Sequence, residues 1–265
     1  MSNISVTHAE SGLVHTTVLR AERVTPNMIR VTFSGGDLAH LAYRGFDHWV
    51  RLAIPVHAGD RFDNLPERFG LGGYLRYLRL PKGTRPVIRN YTIRHFRGEA
   101  EELDIDFLDH GPGGVAGPWA ASVRPGTEVA LIDQGCGWQP RSASRSLIVA
   151  DESGLPAALG ILRDLPRDAT GDALIELFDE RDRQHVDAPA GMTVHWLTRE
   201  PHAVPGAAAL PALRALALPT DLYAFTVGES ALATGARRHL VSERGVAKSH
   251  VTFSGYWRLG RAAHS

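Results

Sequence analysis

The sequence predicts a protein of two domains, an antiparallel β-barrel followed by a doubly wound α/β domain. The chain has 265 residues, which is long for one hydrophobic core and sufficient for two. Its first half contains short strands separated by Gly- and Pro-containing turns, and its second half alternates buried strands with helices. The change falls in the polar segment Arg141–Arg145, so we place the domains at 1–141 and 146–265.

The predicted strands of the first half have the spacing of a barrel. Glu102–Leu108 alternates most clearly, with Leu103, Ile105 and Phe107 facing a core and the intervening acidic residues facing solvent. The long segment from His57 to Gly73 is interpreted as a mobile flap. The strands are predicted at His15–Arg23, Met28–Phe33, His48–Ile54, Val87–Arg94, Glu102–Leu108 and Val129–Ile132.

The second half has the pattern of a parallel sheet covered by helices. Ser146–Ala150 is a continuous apolar run, as in a strand that is buried on both faces. Leu155–Leu165 follows with leucines at helical spacing. Further strands are predicted at Ala173–Phe178, Met192–Leu197, Leu222–Val227 and Val251–Trp257, and further helices at Ala207–Leu218 and Ser230–Arg244.

Composition excludes several classes of function. The formal net charge is zero, so the chain has no global basic field that would attract nucleic acid or anionic lipid. Cys136 is the single cysteine, which rules out an internal disulfide and leaves too few thiolates for a zinc or iron–sulfur site. We find no signal-peptide pattern, no apolar run of membrane-spanning length and no histidine pair with metal-ligand spacing. We therefore expect a cytoplasmic protein without a structural metal.

The segment Arg89–Arg94, with the sequence RNYTIR, is the first informative motif. Alternation along a strand sends Arg89 and Tyr91 to one face and Thr92 and Arg94 to the other. The end of such a strand offers an aromatic plane, a hydroxyl group and guanidinium groups, which suit the ring, the ring edge and the pyrophosphate of a flavin. An ordinary surface strand with solvated arginines has the same pattern, and the motif alone does not separate the two interpretations.

A glycine-rich segment between a strand and a helix is the second motif. Residues 106–120 have the sequence DFLDHGPGGVAGPWA, in which Pro118 is a residue favoured at the first position of a helix. Glycines let the backbone approach a phosphate group, and the N–H groups at a helix start bind it. A flexible surface loop is the alternative interpretation.

Together these segments resemble the siderophore-interacting protein family, the flavin-dependent ferric-siderophore reductases. RNYTIR resembles the family's flavin-binding R-x-Y-[TS]-x-R, and the glycine-rich segment resembles its His-Gly loop and Trp-Ala helix. ADESGLPA, VHWLTR, VGES and GYWRLG resemble later family segments in the same order, so the resemblance spans Val18 to Gly260. It implies a ferredoxin-reductase-like fold, with an FAD-binding barrel and a doubly wound NAD(P)-binding-type domain.

The resemblance also implies the site residues. Its flavin contacts are Arg89, Tyr91, Thr92 and Arg94, and the residues on the phosphate and adenosine side are His110, Gly111, Gly114 and Ala116. The residues that face the nicotinamide are Asp151, Glu152, Ser153, Gly228 and Glu229. Val115 and Pro118 depart from the family's loop, and Gln134–Gly137 departs from its usual Gly-Pro-x-Gly.

The second domain lacks a G-x-G-x-x-G sequence after its first strand. ADESG stands there instead, and Asp151 or Ser153 has an alternative interpretation as the N-cap of the following helix. After the second strand, the segment Phe178–Arg183 contains carboxylates, which suit a ribose 2′-hydroxyl, and arginines, which suit a 2′-phosphate. A solvated turn is the simpler alternative, and the choice between NADH and NADPH stays open.

The predicted function is FAD-dependent reduction of a ferric siderophore, which releases Fe(II) because siderophore oxygens bind that less charged ion less tightly. NADH, NADPH or a ferredoxin supplies the electrons, no side-chain nucleophile is required, and we expect a monomer. A siderophore carrier with little turnover and a reductase of free flavin are the alternatives. Ferric siderophores are usually anionic, and the cations expected to bind them are Arg79, Lys82, Arg85, Lys248 and Arg258.

Overall fold

A computed structural model of the protein describes residues 2–6, 9–55, 60, 62, 65–68, 71–81, 84–109, 114–139 and 143–260. The chain forms two compact units. The first consists of Val6–Arg44 and His48–Cys136, and the second of the chain from Gly137 onward together with Gly45–Asp47 and residues 2–5. Arg141, at the expected domain boundary, lies outside the described residues.

The described residues of the first unit form six strands and two α-helices. The strands are β1 (Leu13–Thr25), β2 (Met28–Ser34), β3 (Trp49–Ile54), β4 (Val87–Arg97), β5 (Glu102–Leu108) and β6 (Glu128–Asp133), and the helices are α1 (Leu71–Leu78) and α2 (Ala116–Ser122). The strands form a closed antiparallel barrel in the order β1-β2-β5-β4-β3-β6. Val31, Phe33, Leu52 and Ile105 are fully buried among the side chains that fill its interior. The predicted barrel is confirmed.

Strand β5 departs from the expected half-buried pattern, because Asp104 and Asp106 are only 3% and 4% exposed. Asp106 accepts hydrogen bonds from Arg30 at 2.7 and 2.9 Å. Asp104 accepts them from Arg97 at 2.7 and 2.8 Å and from the Thr32 hydroxyl at 2.7 Å. The expectation that these acids face solvent is therefore wrong, since arginines on neighbouring strands pair with them and permit their burial.

Helix α1 begins in the last three residues of the segment expected to form a flap and continues beyond it. Tyr77 anchors this helix: its ring is 2% exposed and its hydroxyl donates to the Pro86 carbonyl oxygen at 2.8 Å. The Arg85 guanidinium lies 5.0 Å from the centroid of the Tyr77 ring. His57 and several neighbouring residues of the expected flap lie outside the described residues.

The second unit contains a parallel sheet with helices. Its strands are β7 (Arg145–Ala150), β8 (Thr170–Leu177), β9 (Gly191–Thr198), β10 (Leu222–Glu229) and β11 (Val251–Trp257). Its helices are α3 (Leu155–Asp164), α4 (Ala209–Ala215) and α5 (Ser230–Arg238), the last continued by a π-helical turn over His239–Glu243. The sheet order is β11-β10-β7-β8-β9, so the chain order reverses between β7 and β10. This is the predicted doubly wound arrangement, and ligands of such sheets bind at the reversal point beyond the carboxyl ends of the strands.

Residues near the N-terminus pair with β11, the edge strand of this sheet. The Asn3 side chain donates to the Val251 carbonyl oxygen at 2.8 Å and accepts from the Phe253 N–H at 2.7 Å. The Asn3 N–H donates to the Phe253 carbonyl oxygen at 3.0 Å. These bonds satisfy backbone groups that an open sheet edge would leave unpaired.

Candidate functional site

Strand β4 presents the RNYTIR motif on two faces. Its register against β3 pairs Tyr91 with Val50 and Thr92 with Trp49. Val50 is fully buried in the barrel core, so Tyr91 lies on the core side of the strand and Thr92 on the opposite side. The alternation predicted from the sequence therefore holds through this part of the strand.

Phe107 brings the two sequence motifs together. Its ring centroid lies 4.4 Å from that of Tyr91 on β4 and 5.5 Å from that of Trp119 on α2. Phe107 is fully buried, whereas Tyr91 and Trp119 are half-buried. Burial raises the pKa of Tyr91, so its hydroxyl stays protonated at neutral pH. The RNYTIR strand and the helix after the glycine-rich segment thus both pack against one core residue, Phe107.

Helix α2 begins at Ala116, two residues before the start expected at Pro118. Pro118 occupies the first turn, where a missing N–H removes no helical hydrogen bond. Val115 at the N-cap provides no side-chain acceptor for the N–H groups of that turn. Gly114, just before it, has φ 103°, and apart from its chain neighbours no heavy atom of the described residues lies within 4 Å of a β-carbon placed there. An open backbone surface with donors of this kind suits a phosphate group.

The arginines of the motif differ in their surroundings. Arg94 is 7% exposed, and its Nε lies 3.7 Å from an Asp106 carboxylate oxygen. Arg89 is half-buried and its Nη1 donates to the Ile88 carbonyl oxygen at 2.8 Å. Arg94 thus belongs to the acid–arginine network of the barrel, and Arg89 has the more accessible guanidinium. Three expected site residues lie outside the described part of the chain, namely Lys82, His110 and Gly111.

At the carboxyl end of β7, the carboxylate of Asp151 is fully buried. It accepts hydrogen bonds from the N–H groups of Ser153 at 2.9 Å, Gly154 at 3.2 Å and Glu229 at 2.6 Å. The Ser153 hydroxyl and the Trp257 indole N–H also donate to it, at 2.5 and 3.3 Å. Asp151 therefore joins the ends of β7, β10 and β11 and accepts from N–H groups just before α3. The N-cap of α3 is Gly154, so the interpretation of Asp151 or Ser153 as the N-cap is wrong.

Glu152 is held by Arg199, which follows β9. The carboxylate is 2% exposed and accepts two hydrogen bonds from the guanidinium, both at 2.7 Å. Arg199 also lies 3.3 Å from Glu176, which is fully buried. Burial, together with the nearby Glu152 charge, raises the pKa of Asp151 to about 6.

Gly228 and Glu229 complete this edge of the sheet. Gly228 has φ 121°, and a β-carbon there would lie 2.5 Å from the Asp151 carboxyl carbon. Glu229 is the N-cap of α5, where it accepts from the N–H groups of Ala231 and Leu232. The structure therefore brings the expected nicotinamide residues together, but their carboxylates are engaged in contacts within the chain.

The basic residues expected to bind a chelate do not all lie at one site. Arg79 is exposed just after α1, and Arg85 is half-buried before β4. Lys248 and Arg258 are both exposed, but they lie at opposite ends of the seven-residue strand β11. A strand of that length spans about 20 Å, so these two side chains do not belong to one small-molecule site.

Arg199 lies at the carboxyl edge of the parallel sheet beside the expected nicotinamide residues, but sequence reasoning did not single it out. Its carboxylate partners are 47 and 23 residues away in the chain, so no local spacing connects them. The signal available was its place at the end of VHWLTR, directly after an apolar strand.

A six-stranded antiparallel barrel joined to a doubly wound parallel sheet is the fold class of the ferredoxin reductases. Residues 17–137 match the siderophore-interacting FAD-binding domain, and residues 143–260 match the siderophore-interacting protein domain. The chain belongs to the siderophore-interacting protein family. Among the residues described, no helix is long and apolar enough to cross a membrane.

Relatives of known activity cover almost the whole chain. It is 31% identical over 248 residues to ferric vibriobactin reductase of Vibrio cholerae, a match covering 92% of this chain and 88% of that protein. It is 29% identical over 251 residues to the NADPH-dependent ferric-chelate reductase of Escherichia coli, covering 91% of each. The siderophore-interacting protein SipS of Aeromonas hydrophila has the same fold with a TM-score of 0.78, at 30% identity, covering 95% of this chain and 94% of that one.

Proposed function

We propose that this protein binds FAD on its barrel and uses it to reduce ferric siderophores, with electrons from a reduced pyridine nucleotide. The observation that carries the proposal is the meeting of Tyr91 and helix α2 over Phe107. Tyr91 and the first turn of α2, through Trp119, then pack against the same side chain, an arrangement that suits a ligand with a flat ring system and a pyrophosphate. The activities named for the Vibrio and Escherichia relatives support the same reaction.

The residues present fit FAD on the barrel unit. The first-turn N–H groups of α2 and the open backbone at Gly114 would hold the pyrophosphate, with Arg89 adding charge. Tyr91 would lie against the ring system and Thr92 near its edge, with His110, Gly111 and Ala116 toward the adenosine. Arg94 would act through its pairing with Asp106. Bound FAD supplies the conversion between two-electron hydride chemistry and single-electron reduction of Fe(III).

The parallel-sheet unit would bind the electron donor at its carboxyl edge. Because their carboxylates are engaged internally, Asp151, Glu152 and Glu229 would fix the strand ends rather than touch the nicotinamide. Ser153 and Gly228 would offer backbone surface there. Ferredoxin is the other donor that the proposal admits, and a monomer is sufficient for it.

For the ferric complex we propose a basic docking surface formed by Arg79, Lys82 and Arg85, which directly precede β4. Lys248 precedes β11 and Arg258 follows it, so these two expected residues do not both belong to one docking surface. Clustered cations would attract an anionic chelate and make its encounter rate fall with salt, over a screening length of about 8–10 Å.

The test is an anaerobic cycle followed through the flavin absorbance. The protein is loaded with FAD, bleached with NADPH or NADH, and then mixed with a ferric siderophore. Rapid reoxidation with appearance of Fe(II) is expected, and heat-released flavin should be FAD rather than FMN. A protein that binds the chelate without reoxidation would instead be a carrier, and one whose flavin is lost on gel filtration would be a reductase of free flavin.

Arg89→Ala tests the flavin site directly. Loss of a charge-assisted phosphate contact is expected to weaken FAD binding about 10- to 100-fold, measured by fluorescence titration. Arg20→Ala is a matched control, because Arg20 is an exposed barrel arginine that lies 3.7 Å from Glu102. Unchanged FAD affinity in Arg89→Ala would place this guanidinium outside the flavin site.

A further inference from the structure

Helix α1 of the barrel unit carries exposed apolar side chains. Tyr74, Leu75 and Leu78 are 40%, 49% and 40% exposed, and all three lie within one eight-residue helix. Apolar side chains scattered singly over a surface are ordinary, whereas three on one helix form a patch that favours an interaction. The residues proposed to bind FAD and the electron donor lie on other elements, so the proposed reaction leaves this patch without a role.

The other side of α1 fixes the helix on the barrel. Tyr77 is 2% exposed and belongs to one buried cluster with Ala53 of β3 and Ala130 of β6. A β-carbon at Gly73 would lie 2.3 Å from the Arg68 carbonyl oxygen, so this side of the helix is in close contact with the segment before it. The rotation of α1 about its own axis is therefore set by its buried side.

Helical spacing gives the order of the side chains around α1. Successive residues turn by about 100° around the helix axis, which puts Leu75 almost opposite the buried Tyr77. Tyr74 and Leu78 then fall on one side of Leu75, and Arg76 falls on the other. The outward face of the helix is therefore apolar along one half and basic along the other, a pattern typical of helices that lie in a membrane surface.

The charge around α1 is positive. No acidic residue occurs between Glu67 and Glu99, whereas that stretch contains eight lysines and arginines. Arg76 and Arg79 are both exposed, and within the described part of the chain no carboxylate pairs with either guanidinium. The zero net charge of the whole chain thus includes a local excess of positive charge beside the exposed leucines. Such an excess attracts an anionic surface over about 8–10 Å.

The size of the patch favours a lipid surface over a protein partner. A helix of eight residues is about 12 Å long and about 10 Å wide. Each partner of a stable protein interface buries about 800 Å², which is several times more than such a helix offers. A fluid bilayer needs no matching shape, and it accepts apolar and basic side chains from the same helix because long arginine side chains reach the headgroups.

We propose that α1 binds the protein reversibly to an anionic lipid surface. Leu75 and Leu78 enter the boundary between headgroups and acyl chains, Tyr74 lies at the level of the headgroups, and Arg76 binds lipid phosphates. This surface goes beyond the proposed reaction and does not depend on it. So few side chains bind a membrane weakly, so the protein exchanges between the membrane surface and solution.

Sedimentation with vesicles measures this binding without turnover. The FAD-loaded full chain is mixed with vesicles of phosphatidylcholine, or of equal parts phosphatidylcholine and phosphatidylglycerol. The anionic vesicles should bind the protein, the neutral vesicles should bind it about tenfold less, and added salt should release it from the anionic ones.

Variants of the exposed face locate the contact. Leu75→Ala combined with Leu78→Ala should lower the partition coefficient about tenfold, because the changes remove apolar groups from the lipid. Arg76→Gln should lower it about fivefold on anionic vesicles and leave binding to neutral vesicles unchanged. Leu19→Ala and Arg20→Gln are the matched controls, since Leu19 is 38% exposed on β1 and Arg20 is an exposed arginine of the same strand. Neither control should change the partition coefficient.

Two results would overturn the inference. One is equal binding of the double leucine variant and the unaltered protein to anionic vesicles, or no binding by the unaltered protein at low salt. The other is self-association of the lipid-free protein, measured by sedimentation velocity, that the double leucine variant abolishes. In that case a second copy of the chain covers the patch.

A fluorescent label gives a local readout. An environment-sensitive dye on Leu75→Cys should shift its emission to the blue with anionic vesicles, whereas the same dye on Leu19→Cys should not. The native Cys136 is buried and competes little for the label. A shift at Leu19→Cys without one at Leu75→Cys would place the lipid contact elsewhere and refute the role of α1.

Reductase activity separates this inference from the proposed function. Without vesicles, Arg76→Gln should leave the reduction of a water-soluble ferric siderophore unchanged. Vesicle binding that depends on the leucines, in a protein that reduces no chelate, would support the lipid surface and remove the proposed function. Reduction of the chelate without vesicle binding would do the reverse.

Discussion

Several expected site residues of the barrel keep exposed surface, whereas the expected acidic residues of the parallel sheet are buried. On the barrel, Gly114 is exposed and Tyr91 and Ala116 are half-buried, so ring and backbone surfaces remain accessible. On the parallel sheet, Asp151 and Glu229 are 0% and 4% exposed and accept hydrogen bonds from the chain itself. The expected site residues of the barrel thus keep surface that a ligand could contact, whereas on the sheet the acidic side chains mainly hold strand ends in place.

The contrast has an electrostatic reason. A buried carboxylate is stable only when donors or cations compensate its lost hydration. Glu152 has the guanidinium of Arg199, and Asp151 has five donors around it. Carboxylates that are compensated in this way have little capacity left to bind a ligand.

Arg199→Met, which tests whether the buried carboxylates of the sheet need an internal cation, is expected to have the largest effect. Removing the guanidinium leaves Glu152 and Glu176 buried without their cation, which should cost about 3–5 kcal/mol in the free energy of unfolding, measured by urea denaturation. Arg167→Met is the control, since its pair with Asp187 is 61% and 52% exposed and the change should have little effect. Similar denaturation midpoints for the two variants would mean that the carboxylates need no internal cation.

A pair of glycine substitutions sharpens the comparison. Gly228→Ala combines a φ of 121° with a 2.5 Å approach to the Asp151 carboxyl carbon, so it should destabilise the protein by about 3 kcal/mol. Gly114→Ala has a φ of 103° and open space, so only backbone strain of about 1 kcal/mol is expected. Its main effect should be weaker FAD binding, measured by fluorescence titration. Equal losses of stability would show that both glycines are packed alike.

The pH dependence of stability tests the buried carboxylate at β7. Asp151 has a folded pKa of about 6, above its ordinary value of 3.8, so between these values the folded protein holds a proton that the unfolded chain does not. The free energy of unfolding should therefore fall as pH rises from about 4 to about 6, and level off above that. Asp151→Asn should remove this component of the slope in urea titrations at several pH values. Parallel curves for the two proteins would show that Asp151 titrates normally.

The smallest loss of stability is expected from a change in the N-terminal residues that pair with β11. Asn3→Ala removes two side-chain hydrogen bonds to the backbone of that strand and should cost about 1 kcal/mol. Thermal denaturation measures the loss, and exchange of the β11 amides measures where it occurs. Ser5→Ala is the control, because Ser5 lies in the same exposed segment. An equal effect of both changes would assign the loss to the segment and not to Asn3.

The sequence by itself determined the barrel, the doubly wound sheet and the strand that carries RNYTIR, because period and apolar runs are local properties. Met28–Ser34 and Val251–Trp257 are observed within one residue of their expected bounds. It did not determine helix α1, which lacks a capping acid and lies in a Gly-rich segment, nor the burial of Asp104 and Asp106.

Only the tertiary structure decided which charged residues meet. Arg30 and Asp106 are 76 residues apart, and Arg199 and Glu152 are 47 apart, so no spacing in the sequence could reveal either pair. Strand pairing and the sheet order bring such residues to neighbouring positions, and burial then makes their pairing obligatory. The sequence thus supplies the acids and arginines of this protein, and the packing of its strands determines which of them remain available to a ligand.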